Sequence, residues 1–507
     1  MRALLVTSVG VTCAAALTLP LATPAASAPA PHSASALPPS TSPASPGAGP
    51  PSVQAEATTR EAFAPSGVRS AAEPSGSTQS LPLAPLDAPS NRVAGAPAAQ
   101  GLPQRDARPF SLVGVVWDDA EAELHGTVQV RTRATGTTRW SDWQDVETHN
   151  AEHAADLGSA EREGRTVRGA TAPLWVGDSD GVEVRVRPEA RDPQDRAATP
   201  VPLPAGMRLE LVDPGAGPGE DPGESPGEAS APEPARGAPV GRAAAVPARF
   251  ADTPATAAAL PEVLTAEVAA ASAVNAELAD LGATVIPALT QAETLESMEL
   301  APGAKPYIGP RPGIITRKGW GADEKLREKN FGYTKTVKAA FVHHSATGNN
   351  YTCKQAPSVL RSIYRYHVKS SGWRDFGYNF AVDKCGNIYE GRAGGVTKAV
   401  LGAHTLGFNT NTMGIAVLGS YGSTNPPAAA VTAVSKLTAW KLGLFGRNPK
   451  GKITLVSGGS NKYKAGVKVK MNVISGHRDG FATECPGARL YKKLGKARTS
   501  SAKLQGR

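Results

Sequence analysis

The chain has 507 residues, with 53 Gly, 44 Pro and only 5% aromatic side chains. That balance leaves long stretches unable to bury enough apolar surface to offset the entropy of ordering. No run of about 20 apolar residues occurs, which excludes a polytopic membrane protein, and 4 Cys are too few for a disulfide framework in a chain of this size. The formal net charge of +9 conceals an asymmetry: Ala301 to Arg507 holds 34 Lys and Arg against 8 Asp and Glu, while the rest holds 20 against 37. A basic C-terminal unit, which also contains every tyrosine, therefore follows an acidic arm. Basic surfaces of this kind suit anionic polymers such as nucleic acid or acidic cell-wall glycans.

In chain order, residues 1–28 carry Arg2, an apolar stretch and a closing Ala26-Ser27-Ala28, the pattern of a secretory signal peptide. Cys13 leaves with that leader, so three thiols remain: Cys353, Cys385 and Cys485. Residues 29–107 are rich in Pro, Ala and Ser and are expected as a disordered linker. Between 108 and 214 short alternating runs follow, FSLVGVVW (110–117), GTVQVRTRA (126–134), GVEVRVRP (181–188) and MRLELVD (207–213). Their period of two predicts a small antiparallel β-domain of unknown role, held on a flexible tether. Trp117, Trp140, Trp143 and Trp175 could stack on a glycan, but β-domains routinely bury Trp, and ordinary packing is the simpler expectation. Residues 215–308 read as a second Pro/Gly/Ala-rich linker with one Ala-rich helix near 262–282.

Residues 309–497 change character. AAFVHHS (339–345), YNFAVD (378–383), IYEG (388–391) and GIAVLGSY (414–421) predict strands. Leu360, Ile363, Tyr364 and His367, and later Val431, Val434, Leu437, Trp440 and Leu444, fall at helical spacing. The expected fold is α/β, a central mixed sheet with packed helices, ending in a tail at 498–507.

Three side chains of this unit can form a metal site: His343 on the first strand, and His477 and Cys485 in GHRDGFATECPG (476–487). Zinc accepts imidazole nitrogen and thiolate, and a catalytic site keeps a position open for water beyond three protein ligands. A lone histidine is more often structural, but an exported thiol is better occupied by a metal than left to oxidise. Cys353 and Cys385 are then left for one another, although pairing of Cys485 with either stays open. Neighbours on a strand point to opposite faces, so His343 and His344 cannot both face one ion.

Four motifs, FVHHSAT (341–347), GWRDFGYNFAVDKCGNIYEGR (372–392), LGAHTLGFNTNTMGIAVLGSY (401–421) and GHRDGFATECPG (476–487), stand in the order and spacing of one family. Over about residues 309 to 497 the chain resembles the peptidoglycan recognition protein and N-acetylmuramoyl-L-alanine amidase domain. The flanking regions resemble those of actinobacterial secreted members. In catalytic members a zinc ion activates water to cleave the amide between N-acetylmuramic acid and L-alanine. The resemblance implies Zn2+ on His343, His477 and Cys485, and catalytic hydroxyls on Tyr378 and Thr483. Thr483 takes the position that is Lys in phage enzymes and commonly Thr in animal ones. His404, Asn409 and Arg392 are the implied contacts to the peptide stem. The expected protein is a secreted, cell-wall-associated monomer whose partner is peptidoglycan, with anionic wall polymers as further partners and no nucleic acid or transmembrane segment. The rivals are a family member that binds peptidoglycan without cutting it, against which Cys485 and Tyr378 argue, and a polyanion-binding surface protein with steep salt dependence.

Overall fold

A computed structural model describes residues 76–86, 99–148, 153–159, 161–189, 201–218, 264–298 and 306–507. The expected leader at 1–28 and much of both linkers lie outside these residues.

The N-terminal sheet comprises β1 (Ser77–Pro82), β2 (Ala84–Pro85), β3 (Gln100–Trp117), β4 (Gly126–Ala134), β5 (Gln144–Val146), β6 (Gly169–Ala170), β7 (Leu174–Pro188) and β8 (Arg208–Asp213). Its main path runs β1-β8-β3-β7-β4-β5, with β2 and β6 also on β3, and every pairing is antiparallel. The antiparallel domain expected from residue 108 thus begins earlier, at Ser77. STQSLP has little strand character of its own and takes it from β8, against which it pairs along its whole length.

The second sheet follows α1 (Ala266–Ala273), inside the segment expected as an Ala-rich helix, then β9 (Val285–Ile286) and α2 (Gln291–Glu296). It continues through β10 (Ile314–Ile315), β11 (Ala339–His344), α3 (Ala356–Arg365), β12 (Phe380–Val382), β13 (Ile388–Glu390), β14 (Thr412–Val417) and α4 (Ala428–Leu444). After a hairpin of β15 (Lys452–Val456) and β16 (Lys468–Asn472) come β17 (Ile474–Gly476) and three helices, α5 (His477–Gly480), α6 (Ala488–Tyr491) and α7 (Leu494–Leu504). The order is β17-β11-β14-β12-β13-β10-β9, parallel from β17 through β12 and antiparallel between β12 and β13. β11 and β14 are buried at every position, as parallel strands covered on both faces must be. Helices α4 and α7 cover one face, through Val434, Leu437, Trp440 and Leu494. α3 covers the other through Val359, Leu360 and Ile363. α7 runs on through most of the segment expected as a tail.

The β-domain is no free appendage. Leu112 and Val116 of β3, Trp175 of β7 and Val212 of β8 join the same apolar cluster as α3, while the alternate residues Val113, Val115 and Trp117 fill the β-domain's own interior. One strand therefore has a core on each side. Tyr366, just past α3, packs against Gly114, where a Cβ would fall 2.4 Å from its hydroxyl, and that hydroxyl donates to the Thr171 carbonyl at 3.1 Å. The tryptophans divide accordingly: Trp117 and Trp175 are buried, whereas the half-buried Trp143 stacks with Arg185 at 3.9 Å and Arg131 at 5.0 Å. No helix among the described residues is long and apolar enough to cross a membrane.

Cys353 and Cys385 form a disulfide across 32 residues, and Cys485 is outside it. Reducing this bond is expected to cost about 3–4 kcal/mol of stability, read as a lower melting temperature in reductant that a Cys353→Ser, Cys385→Ser protein does not show further. Gly114→Val overpacks the shared core and is expected to cost about 1–3 kcal/mol. Calorimetry should then show one common unfolding transition shifted downward, and a shift confined to a separate β-domain transition would refute the shared core.

Candidate metal centre

Strand register brings the centre together. In the parallel pairing of β17 with β11, Gly476 lies opposite Val342, so His477, the first residue of α5, leaves the sheet beside His343. The turn after it is fixed locally. The Asp479 carboxylate accepts from the Gly476 amide at 2.9 Å and from the Tyr491 hydroxyl at 2.6 Å. The Arg478 amide donates to the Cys485 carbonyl at 3.0 Å. Gly487 then turns with φ +84°, where any Cβ would fall 2.3 Å from the Tyr421 backbone. These contacts fold residues 476–487 back on themselves and place Cys485 on the same side as His477.

His343, His477 and Cys485 are buried together, as the sequence reading requires, and a fourth residue joins them: His153 of the β-domain. Donor atoms of these four all lie within 4.8 Å of one another. The Cys485 sulfur is 3.8 Å from Nδ1 of His343, and the His343 and His477 ring centres are 4.5 Å apart. Zinc–nitrogen bonds of about 2.0–2.1 Å and zinc–sulfur bonds of about 2.3 Å fit such a cluster with little adjustment. Three imidazoles and a thiol are a donor set suited to zinc. Burial, and then the neighbouring His477 and His153, hold His343 well below the usual histidine range. Its ring is therefore neutral, the form that ligates. Nε2 of His343 faces the Thr405 hydroxyl at 3.5 Å, a second contact that orients the ring. His344, on the other face, receives the Tyr421 amide on Nδ1 at 3.4 Å and lies 3.5 Å from the Glu147 carboxylate.

Tyr378 is buried beside the cluster, 5.2 Å between ring centres from His343 and 5.9 Å from His153. The Thr483 oxygen accepts from the Cys485 amide at 3.1 Å. The three residues expected to touch the peptide stem lie elsewhere than in open solvent. His404 is fully buried behind His343, 5.4 Å ring to ring, its Nδ1 3.0 Å from the Thr405 hydroxyl; burial lowers its pKa to about 3. The Asn409 carbonyl oxygen receives the His404 and Thr405 amides at 2.7 and 2.9 Å, and its amide nitrogen donates to Asp156 at 2.8 Å. Arg392 donates to the Leu401 carbonyl at 3.0 Å and to the Glu161 carboxylate. His367 is structural: Nδ1 accepts the Gly377 amide at 3.2 Å, and the ring stacks on Trp373.

His153 escaped the sequence reading because nothing in its neighbourhood points to chemistry. It sits in a segment between β5 and β6 with no periodicity, and its partners lie about 190 or more residues away. The scarcity of histidine, 9 in the chain, was the one available signal.

Known proteins similar to this chain fall into two families of domain. The family model described as N-acetylmuramoyl-L-alanine amidase matches residues 333–488, and the model described as "Rv3811 N-terminal galactose-binding domain-like" matches residues 65–204. The Drosophila melanogaster peptidoglycan-recognition protein SC2 is 31% identical over 186 residues, which is 36% of this chain and 84% of that protein. A human N-acetylmuramoyl-L-alanine amidase is 30% identical over 192 residues, 36% of this chain and 28% of that one. Among solved structures, wild-type Drosophila PGRP-LB is 26% identical, covering 36% of this chain and 91% of that one at a TM-score of 0.29. With a relative 31% identical and matched over 84% of its length, the chain belongs to the family of peptidoglycan-recognition proteins and N-acetylmuramoyl-L-alanine amidases.

Proposed function

We propose that the protein is an exported zinc-dependent N-acetylmuramoyl-L-alanine amidase that hydrolyses the bond between the lactyl group and L-alanine in peptidoglycan. The observation that supports this most is the convergence of His343, His477 and Cys485 beside the Tyr378 ring. A disulfide elsewhere in the same domain favours an oxidising compartment. A zinc ion held by these residues supplies positive charge that makes water a better nucleophile near neutral pH and draws electrons from the scissile carbonyl.

The chain's own residues do the rest. His343, His477 and Cys485 would hold the ion, the sulfur binding as thiolate and so cancelling one of its two charges. The hydroxyls of Tyr378 and Thr483 donate to the oxygen on which negative charge develops as the carbonyl is attacked. The buried walls, with Phe376 against the Tyr378 ring at 5.7 Å, lower the local dielectric in which that donation acts. The Thr405 hydroxyl keeps the His404 and His343 rings in place, and Asn409 holds the backbone of residues 404 and 405.

A second reading, peptidoglycan binding without cleavage, is favoured by one observation, the presence of His153 among the other three.

Digestion of purified sacculi should create new L-alanine amino termini without new reducing sugar ends; new reducing ends would mark a glycosidase instead. Cys485→Ser is expected to abolish hydrolysis while leaving much of the wall binding, and full activity in a metal-free sample would refute the metal's role. Tyr378→Phe should lower turnover by about 10²-fold or more with the metal content unchanged, and an unaltered rate would remove Tyr378 from the chemistry.

A further inference from the structure

The described residues 153–159 and 161–168, between β5 and β6, cross the face of the metal centre. Through His153 they bring an imidazole to the cluster, its ring centre 4.5 Å from that of His477 and 5.3 Å from that of His343. Beyond His153 the chain is fastened by acidic groups. Asp156 accepts from the Gly407 amide at 2.7 Å and from Asn409 at 2.8 Å, and Asn409 also donates to the Ala154 carbonyl at 3.0 Å. The Glu161 carboxylate pairs with Arg392 where both side chains are almost wholly buried. Further along, Arg374 donates to the Glu161 carbonyl at 2.9 Å.

Covering a groove needs only shape. Placing a ring nitrogen within 4.8 Å of two imidazoles and a thiol is a requirement of coordination. A zinc ion takes four donors in closed structural sites and keeps one position open in catalytic ones. We propose that His153 is a fourth protein ligand, delivered by the β-domain, which closes the centre and holds the chain latent until the stretch that carries His153 and Asp156 withdraws. This rests on the amidase reading above and deepens it. Asp156 and Glu161 put carboxylates on Asn409 and Arg392, two of the three residues expected to meet the stem peptide. The segment therefore imitates an acidic peptide, and an acidic stem peptide is the chemical class that competes with it. Because the plug is tethered, its effective concentration is high, and only a ligand that engages several of the same contacts displaces it.

Cobalt substitution of the full-length protein tests this by absorption spectroscopy. The wild-type spectrum is expected to ignore added azide, whereas that of His153→Ala should change as azide enters the vacated position. A competing chelator should strip metal from His153→Ala about tenfold or more faster than from wild type, and wall digestion should rise by a similar factor. Asp156→Ala, which keeps the imidazole and removes one anchor, should give a partial azide response, so the idea stays testable if His153→Ala folds poorly. Identical spectra, azide responses and stripping rates in wild type and His153→Ala, with Cys485→Ser still losing the metal, would overturn the fourth ligand and leave the amidase reading standing. Failure of the wild type to bind cobalt or zinc at all would overturn both.

Discussion

The parallel register of β11 and β17 is the constraint on which the centre depends. Setting Gly476 opposite Val342 puts His477 beside His343, and the hydrogen-bonded turn that follows returns Cys485 to the same point. The sheet does this work because it is buried on both faces: a slip of one residue would carry His343 from the cluster to the side now held by His344. Helices α3 and α4 thus fix chemistry indirectly, by forbidding any other register.

Much of this was legible from residue pattern. The apolar runs of β11 and β14 announce buried strands, the helical spacing of α3 and α4 is plain, and the three expected ligands stand in motifs that a resemblance can assign. His404, Asn409 and Arg392 were harder. Their motif positions suggest a groove, but whether a groove is open depends on what lies over it, and that comes from 230 or more residues earlier in the chain. Strand β1 and His153 fall in the same class. Each acquires its role only from a partner remote in sequence, so local composition carries no trace of it.

The two domains are joined by apolar packing where tethering was expected. FSLVGVVW reads as a half-buried strand because period two usually means one face to water; β3 instead buries Val113 and Val115 on one side and Leu112 and Val116 on the other. The absence of charge from that run is the mark of its two-sided burial.

That shared apolar wall also governs how access to the proposed metal site can be gained. Pulling the β-domain away whole would tear open a seam that includes Trp175, Leu112 and Tyr366, an event on the scale of unfolding. Freeing the residues around His153 breaks mainly polar contacts, at Asp156, Glu161, Arg165 and Arg168. Unlocking is therefore a matter of peeling back a strap while the buckle stays shut, so the chain can become competent without its halves ever parting.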